Sequence, residues 1–289
     1  MFDRKVDANR DSPQNLRAMS ETDPKAAKAA KSDRYSLVTG ASTGLGRTFA
    51  KSLAARKHNL VVIARSEDKL VELAKQLREQ HGIAVEVIPI DLSAAGAGLQ
   101  VIQELTRRQL QIDLLVNNAG FGLQGAFVQL DLARQLEMIQ LHNSVVVELC
   151  HRLLPDMIKA RRGGIINVSS MAGMQAAPYA TVYSASKAFL TTFSLALERE
   201  VKKHGVRIVT VCPGRLEPGP EKEADTNRQK FPGGEQSQEE VVSEALRMLD
   251  KGGGLLIPGV VNKFANVAQR FFPRRLVAKG ISKMSPFRK

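Results

Sequence analysis

Tyr35-Ser36-Leu37-Val38-Thr39-Gly40-Ala41-Ser42-Thr43-Gly44-Leu45-Gly46 is the stretch that decides how this chain folds. An apolar run of strand length passes straight into a turn with glycine at positions 40, 44 and 46, and a helix follows. Glycine allows positive φ and lets backbone approach a neighbour closely. The helix N-terminus beyond the turn presents unpaired N–H groups and a partial positive charge, which suits a phosphate. The spacing is Gly-x-x-x-Gly-x-Gly rather than the commoner Gly-x-Gly-x-x-Gly, and a glycine cluster can be only a tight turn. Its place at the first strand-helix junction favours dinucleotide binding.

Continuous apolar runs recur at 60–64, 85–90, 114–116, 165–168, 206–211 and 255–257. Unbroken runs, as opposed to alternating ones, suit strands buried on both faces of a parallel sheet. Helical spacing separates them. After Ser66, placed as an N-cap, Leu70, Leu73, Ala74 and Leu77 share one face, and Gly82 stands where the helix should end. Longer helical patterns cover 130–160 and 182–204, and the Pro- and Gly-rich stretch 217–238 reads as an irregular insertion. Repeated strand-helix alternation specifies a doubly wound α/β sheet.

Composition narrows the function classes. The chain has 289 residues, 43% of them hydrophobic, enough for one large domain with a real core. No run approaches the roughly twenty apolar residues of a membrane span. Residues 1–34 mix charge with Ala and Ser, lack a signal-peptide core and read as a disordered leader. Two cysteines, Cys150 and Cys212, argue against a disulfide scaffold or a metal site and suit a reducing, cytoplasmic setting. The net charge is +13, and residues 258–289 form a basic extension. There Phe264, Val267, Ala268, Phe271 and Phe272 have near-helical spacing, with Arg270, Arg274, Arg275, Lys279 and Lys283 among or after them. Such a segment can pack on the body of the protein, close over a site, meet a partner subunit or lie on an anionic membrane. No recognisable nucleic-acid motif with interleaved aromatics accompanies the charge, so no nucleic-acid partner is expected.

Two further positions bear on the ligand. The second strand ends Val61-Val62-Ile63-Ala64-Arg65. An acid there would receive the ribose hydroxyls of NAD. Arginine instead offers a planar fork of donors to a 2′-phosphate, which predicts NADP(H) over NAD(H). Asp91, just past the third strand, can accept from the adenine amino group. Farther on, Tyr183 and Lys187 stand four residues apart on one helix face. A cation within about 4–6 Å moves a phenol by roughly one to three pKa units, towards the range of a general acid at neutral pH.

With these residues in place, the sequence resembles the short-chain dehydrogenases/reductases over residues 35–257. The turn Thr39–Gly46, Asn117-Asn118-Ala119-Gly120, Asn143, Asn167-Val168-Ser169-Ser170, Tyr183 with Lys187, and Pro213-Gly214 occur in the order and spacing of that family. The resemblance implies one Rossmann-type domain: a seven-stranded parallel sheet in the order 3-2-1-4-5-6-7, with helices on both faces. It implies that Ser170 donates to a substrate carbonyl and Tyr183 delivers the proton. Lys187 tunes Tyr183 and holds nicotinamide ribose, while Asn143 distorts its helix to support a proton relay. Gly40, Ser42, Thr43, Gly44, Leu45, Gly46, Asn118, Ala119, Gly120, Pro213 and Gly214 become cofactor contacts beside Arg65 and Asp91. Glu217 departs from the family pattern, which commonly has a threonine there for the carboxamide.

The expectation is an NADP(H)-dependent oxidoreductase interconverting a carbonyl and a secondary alcohol on a hydrophobic small molecule. It is similar to carbonyl, 3-oxoacyl and hydroxysteroid reductases. Phe121, Leu123, Met171, Met174 and Phe231 are the candidate substrate walls. The resemblance also implies a homodimer or homotetramer formed through the helices at 130–160 and 182–204. The competing class is a catalytically silent protein that keeps the fold and uses it for cofactor sensing or for nucleic-acid or membrane binding.

Overall fold

Consecutive residues of each strand go to opposite faces of one sheet covered on both sides, which is why the strand runs are apolar at most positions, with Ser36, Glu86, Asn167 and Thr210 among the exceptions. A computed structural model describes residues 34–218, 234–285 and 287. The disordered leader expected at 1–34 therefore lies outside the described residues except for Arg34, which begins the first strand, and most of the insertion expected at 217–238 lies outside them too. Seven strands, β1 (Arg34–Thr39), β2 (Asn59–Ala64), β3 (Val85–Pro89), β4 (Gln111–Asn117), β5 (Gly164–Val168), β6 (Arg207–Val211) and β7 (Gly254–Leu256), pair in the order 3-2-1-4-5-6-7. Every pairing is parallel, as the sequence predicted.

Val38, Val62 and Val116 point to one face and pack with helices α1 (Gly44–Ala55), α2 (Glu67–His81) and a helix at Gln238–Asp250. Leu37, Val61 and Leu115 point to the other. There they meet α3 (Ala97–Arg107) and the long helices after β4 and β5. Phe49, Leu53, Leu70 and Leu149 are buried at 0–1% exposure. Burying each such side chain contributes about 1.5–3 kcal/mol.

The helix at 67–81 ends as expected, with Gly82 at φ +63. Ser66 occupies the N-cap position, but its hydroxyl makes no capping bond; Glu67 and Asp68 instead place negative charge in the first turn. The single pattern at 130–160 resolves into three pieces. Helix α4 (Leu132–Ile139) is capped by the Asp131 carboxylate, which accepts from Arg134 N at 3.0 Å. A π-helical turn, Gln140–Ser144, then widens the chain before α5 (Val145–Lys159) resumes. Helix α6 (Thr181–Val201) ends in a 3-10 turn to His204. Helices α7 (Gln238–Asp250), α8 (Val260–Ala268) and α9 (Arg274–Met284) complete the chain. Because the chain returns from β3 to β4 across β1, a crevice opens beyond the carboxyl ends of β1 and β4, the place where such sheets bind ligands.

Candidate active site

A cleft of about 680 Å³ occupies that crevice. Gly40, Ser42, Thr43, Gly44, Leu45, Arg65, Asp91, Asn118, Ala119, Gly120, Ser170, Tyr183, Lys187, Pro213 and Gly214 all line it. Gly46 and Asn143 do not; Gly46 lies behind the turn, and Asn143 is buried behind the wall.

The turn is built for close approach. Gly40 sits at φ +66, and a Cβ on Gly46 would lie 2.2 Å from Gly40 O. No Cβ fits there. Thr43 stands at the N-cap of α1 without a side-chain cap, and the first turn carries no acid. Its amides and dipole therefore remain available to an anion. Thr39, which the sequence reading left unassigned, ties this turn to β4. Its Oγ1 donates to Val116 O (3.2 Å) and accepts from the backbone N–H groups of Asn118 (2.9 Å) and Ala119 (3.0 Å). Asn118 Nδ2 donates to Thr39 O (2.9 Å), so that amide braces the turn while the backbone of 118–120 faces the cleft.

At the far end, Arg65 is exposed and lines the wall at the tip of β2. The Asp91 carboxylate accepts from the Ser93 amide (2.9 Å) and hydroxyl (2.6 Å). Burial alone would raise this group, but the Ser93 bonds and the charges of Arg65 and Arg134 leave it below the ordinary carboxylate value.

At the near end, the tip of β5 and the first turns of α6 bring Ser170, Tyr183 and Lys187 to one wall. Lys187 Nζ donates to Val168 O at 2.9 Å, and burial pushes its pKa down to about 8. Ser169 donates to Lys187 O (2.8 Å), fixing the helix against the strand end. The Ser170 hydroxyl accepts from Ala172 N (3.1 Å) and also bonds Tyr183. One expectation is corrected here. Burial raises the Tyr183 phenol above its ordinary value, opposed by the Ser170 bond. Desolvation of the buried phenol outweighs what its hydrogen bond to Ser170 returns.

Behind this wall the π-turn clamps the helix that carries the tyrosine. Asn143 Nδ2 donates to Ser186 O (2.9 Å), and His142 Nδ1 bonds Ser186 Oγ (2.9 Å). His142 Nε2 accepts from Phe121 N (3.2 Å), so the ring proton resides on Nδ1. Ser186 in turn donates to Tyr183 O at 2.8 Å. Burial and the Lys187 charge push His142 down to about 2, so the ring is neutral. The sequence reading passed over His142 and Ser186. The signal was present in Ser186, on the same helix as Tyr183, and in the polar run His142-Asn143-Ser144 that directly precedes the apolar Val145-Val146-Val147.

Of the candidate walls, Phe121 lines the cleft, whereas Leu123, Met171 and Met174 do not; Phe231 lies outside the described residues. Arg134 lies 4.4 Å over the Phe121 ring, covering it with a cation. Glu217, at the position expected for threonine, lines the cleft, and its backbone is held from both sides. Glu217 N donates to Gln236 O (3.0 Å) and Glu217 O accepts from Gln238 Nε2 (3.0 Å). These bonds, with Gln236 Oε1 accepting from Gly214 N (2.8 Å), close the stem from which 219–233 depart. Among the described residues no cluster of three His, Cys, Asp or Glu is arranged to hold a metal, and no helix is long and apolar enough to cross a membrane.

A parallel seven-stranded sheet with an uncapped glycine turn at its switch point defines a Rossmann-type α/β protein. A family model described as short chain dehydrogenase matches residues 34–229, and the chain belongs to that family of oxidoreductases. Among curated relatives, the very-long-chain 3-oxoacyl-CoA reductase of Anas platyrhynchos is 35% identical over 62% of this chain and 58% of its own. The chain thus spans little more than half of that relative's length. Among solved structures, a 7beta-hydroxysteroid dehydrogenase superposes with TM-score 0.77 at 26% identity, covering 86% of this chain and 96% of that one. A short-chain dehydrogenase from Sphingobium yanoikuyae in complex with NADPH superposes with TM-score 0.72 at 29% identity, covering 88% and 96%.

Proposed function

We propose that this protein is an NADP(H)-dependent reductase of a ketone or aldehyde on a hydrophobic small molecule, with the reverse oxidation available to the same groups. The observation that carries this reading is the meeting of Ser170, Tyr183 and Lys187 at one end of a single cleft whose other end holds an uncapped helix N-terminus and Arg65. The residues fit a dinucleotide. The turn of Gly40 and Gly46 excludes any Cβ, the α1 amides suit the pyrophosphate, and Arg65 suits a 2′-phosphate. Backbone at Asn118, Ala119 and Gly120 would pass along its middle, with Pro213 and Gly214 behind the nicotinamide. Ser42, Thr43 and Leu45, which line the cleft, would flank the phosphates, and Asp91 would meet the adenine.

When bound, the nicotinamide supplies or takes up the hydride. The chain's own residues handle the oxygen. Ser170 donates to the carbonyl, which makes the carbon more electrophilic and stabilises negative charge as it grows on oxygen. Tyr183 gives its phenolic proton to that oxygen, so the alkoxide leaves as a neutral alcohol. Lys187, a cation poised near neutrality by burial, supports the phenolate that remains and binds ribose hydroxyls. Asn143 and His142 hold the first turn of α6 through Ser186, which keeps Tyr183 aimed at the cleft. In this reading residues 35–257 form the catalytic domain, and dimerisation or tetramerisation uses α4 to α6. Leu132 and Leu136 on α4 and Phe189 on α6 are exposed, as is Phe127 in the 3-10 turn before α4.

One relative is named a very-long-chain 3-oxoacyl-CoA reductase and one solved structure is a hydroxysteroid dehydrogenase; a long acyl chain and a steroid nucleus are both largely apolar, which supports the substrate class. The test is NADPH oxidation against a panel of ketones, aldehydes and 3-oxoacyl thioesters. Turnover of at least one class is expected; no turnover across the panel, with NADPH bound, contradicts the reading. The phosphate argument has its own test. Arg65→Asp should lower the NADPH/NADH preference by about 10²-fold, since a charge-assisted fork is replaced by a repelling carboxylate, worth roughly 3 kcal/mol in all. A preference ratio equal to that of the parent protein overturns it.

A further inference from the structure

Helix α8 is turned inside out. An amphipathic helix ordinarily lays its apolar stripe on the body of its protein, but here polar residues take the inward side. Asn266 is 6% exposed, and Gln269 Nε2 donates to its Oδ1 at 3.0 Å. Asn262 donates to Pro258 O (3.0 Å) and lies against Gly214, where a Cβ would come within 2.5 Å of its amide. The apolar stripe, at helical spacing, faces outward: Val260, Phe264 and Phe271 are 81%, 73% and 81% exposed. Past Pro273 the pattern continues on α9, where Leu276 and Met284 are exposed as well.

The charge on this segment has one sign. Beyond Gly252 the chain carries lysines and arginines and not a single Asp or Glu. Arg270, Arg274, Arg275, Lys279 and Lys283 are all exposed on or between the two helices. Phenylalanine and valine on one side, with cations at the flanks and polar residues behind, is the arrangement of a helix that lies in a membrane interface. A bilayer surface meets both halves of this face at once, since it offers diffuse negative charge above and an apolar layer just beneath. A protein partner would need an apolar groove ringed by acids. A second copy of this chain brings the same positive charge to the contact, which opposes self-association through this face.

We propose that α8, the turn after it and α9 form an interfacial anchor that docks the protein on an anionic lipid bilayer. The anchor stands apart from the proposed reaction. Its polar underside sits beside Gly214 and the stem at Gln236, so docking would place the membrane at one side of the cleft mouth. No residue of the anchor is assigned to catalysis.

The experiment is co-sedimentation of the full chain with vesicles of phosphatidylcholine alone or mixed with phosphatidylglycerol. Binding to the anionic vesicles is expected to be stronger by about tenfold or more and to weaken as salt is added. The double variant Phe264→Ser/Phe271→Ser should lose about tenfold or more of that binding. Arg274→Glu/Arg275→Glu should lose at least as much, by about fivefold per charge. These positions are exposed, so NADPH binding and the melting temperature serve as controls and should match the parent. Three outcomes overturn the proposal. One is the absence of binding to either vesicle; another is equal binding to both. The third is a double variant that binds vesicles as the parent does while sedimenting as a smaller species, which would assign the stripe to a second copy.

Discussion

Tyr183→Phe should lower NADPH-dependent carbonyl reduction by about 10²–10⁴-fold, the span ordinarily supplied by a positioned general acid, with NADPH affinity nearly unchanged. The substitution removes one oxygen and leaves the ring. The ring lies edge-on to His142, with centroids 5.9 Å apart, and that contact does not depend on the hydroxyl. Ser186 still donates to the backbone carbonyl of residue 183, so the helix turn keeps its place. What disappears is the proton for the product oxygen and the bond to Ser170. The loss should therefore fall on kcat and on kcat/KM alike, the pattern of an interaction made in the transition state. Parallel kinetics and NADPH fluorescence titration check it. A variant that turns over as fast as the parent removes Tyr183 from the mechanism.

Gly46→Ala is the second large effect, and it acts on binding. The new Cβ would lie 2.2 Å from Gly40 O, 2.8 Å from Gly40 C and 2.4 Å from Asn118 Nδ2. Two of those atoms are backbone, so no side-chain rotation relieves the overlap. The turn must move away from α1, and with it the peptide that should meet the pyrophosphate. Hydrogen bonds to a charged group are worth about 1.5–3 kcal/mol, so NADPH affinity is expected to fall by about 10–10²-fold. The Thr39 bonds to Asn118 and Ala119 should weaken with it, because the same atoms brace the turn. Calorimetric titration with NADPH reads the change. Affinity equal to the parent's would mean that the turn does not carry the phosphates.

Much of the fold could be read from the chain because opposite-facing residues such as Leu37 and Val38 are both apolar, which only a doubly covered parallel sheet requires. The site residues on the cleft wall were legible for a different reason: glycine at 40 and 46, and the Tyr183-Lys187 pair, each answer a geometric demand that few other residues meet. What could not be read depends on atoms distant in sequence. The π-turn at Gln140–Ser144 looks like ordinary helix locally, and its purpose emerges only against Ser186, packed from another helix. The phenol's raised pKa is likewise a matter of burial, whereas the sequence showed only the cation beside it. The inverted face of α8 was equally hidden. Periodicity marks a stripe, but which side faces inward shows only in the contact of Asn262 with Gly214 and the burial of Asn266.

The measurement that bears most directly on the central claim is a pH titration of tyrosinate absorbance, taken as parent minus Tyr183→Phe, without and with saturating NADP+. Three tyrosines and no tryptophan make the difference signal legible. Without NADP+, the group should ionise above the ordinary tyrosine range, since burial raises it. With NADP+, the added positive charge beside Lys187 should bring it below that of free tyrosine. A phenol that still ionises no more readily than free tyrosine in the presence of NADP+ contradicts the account.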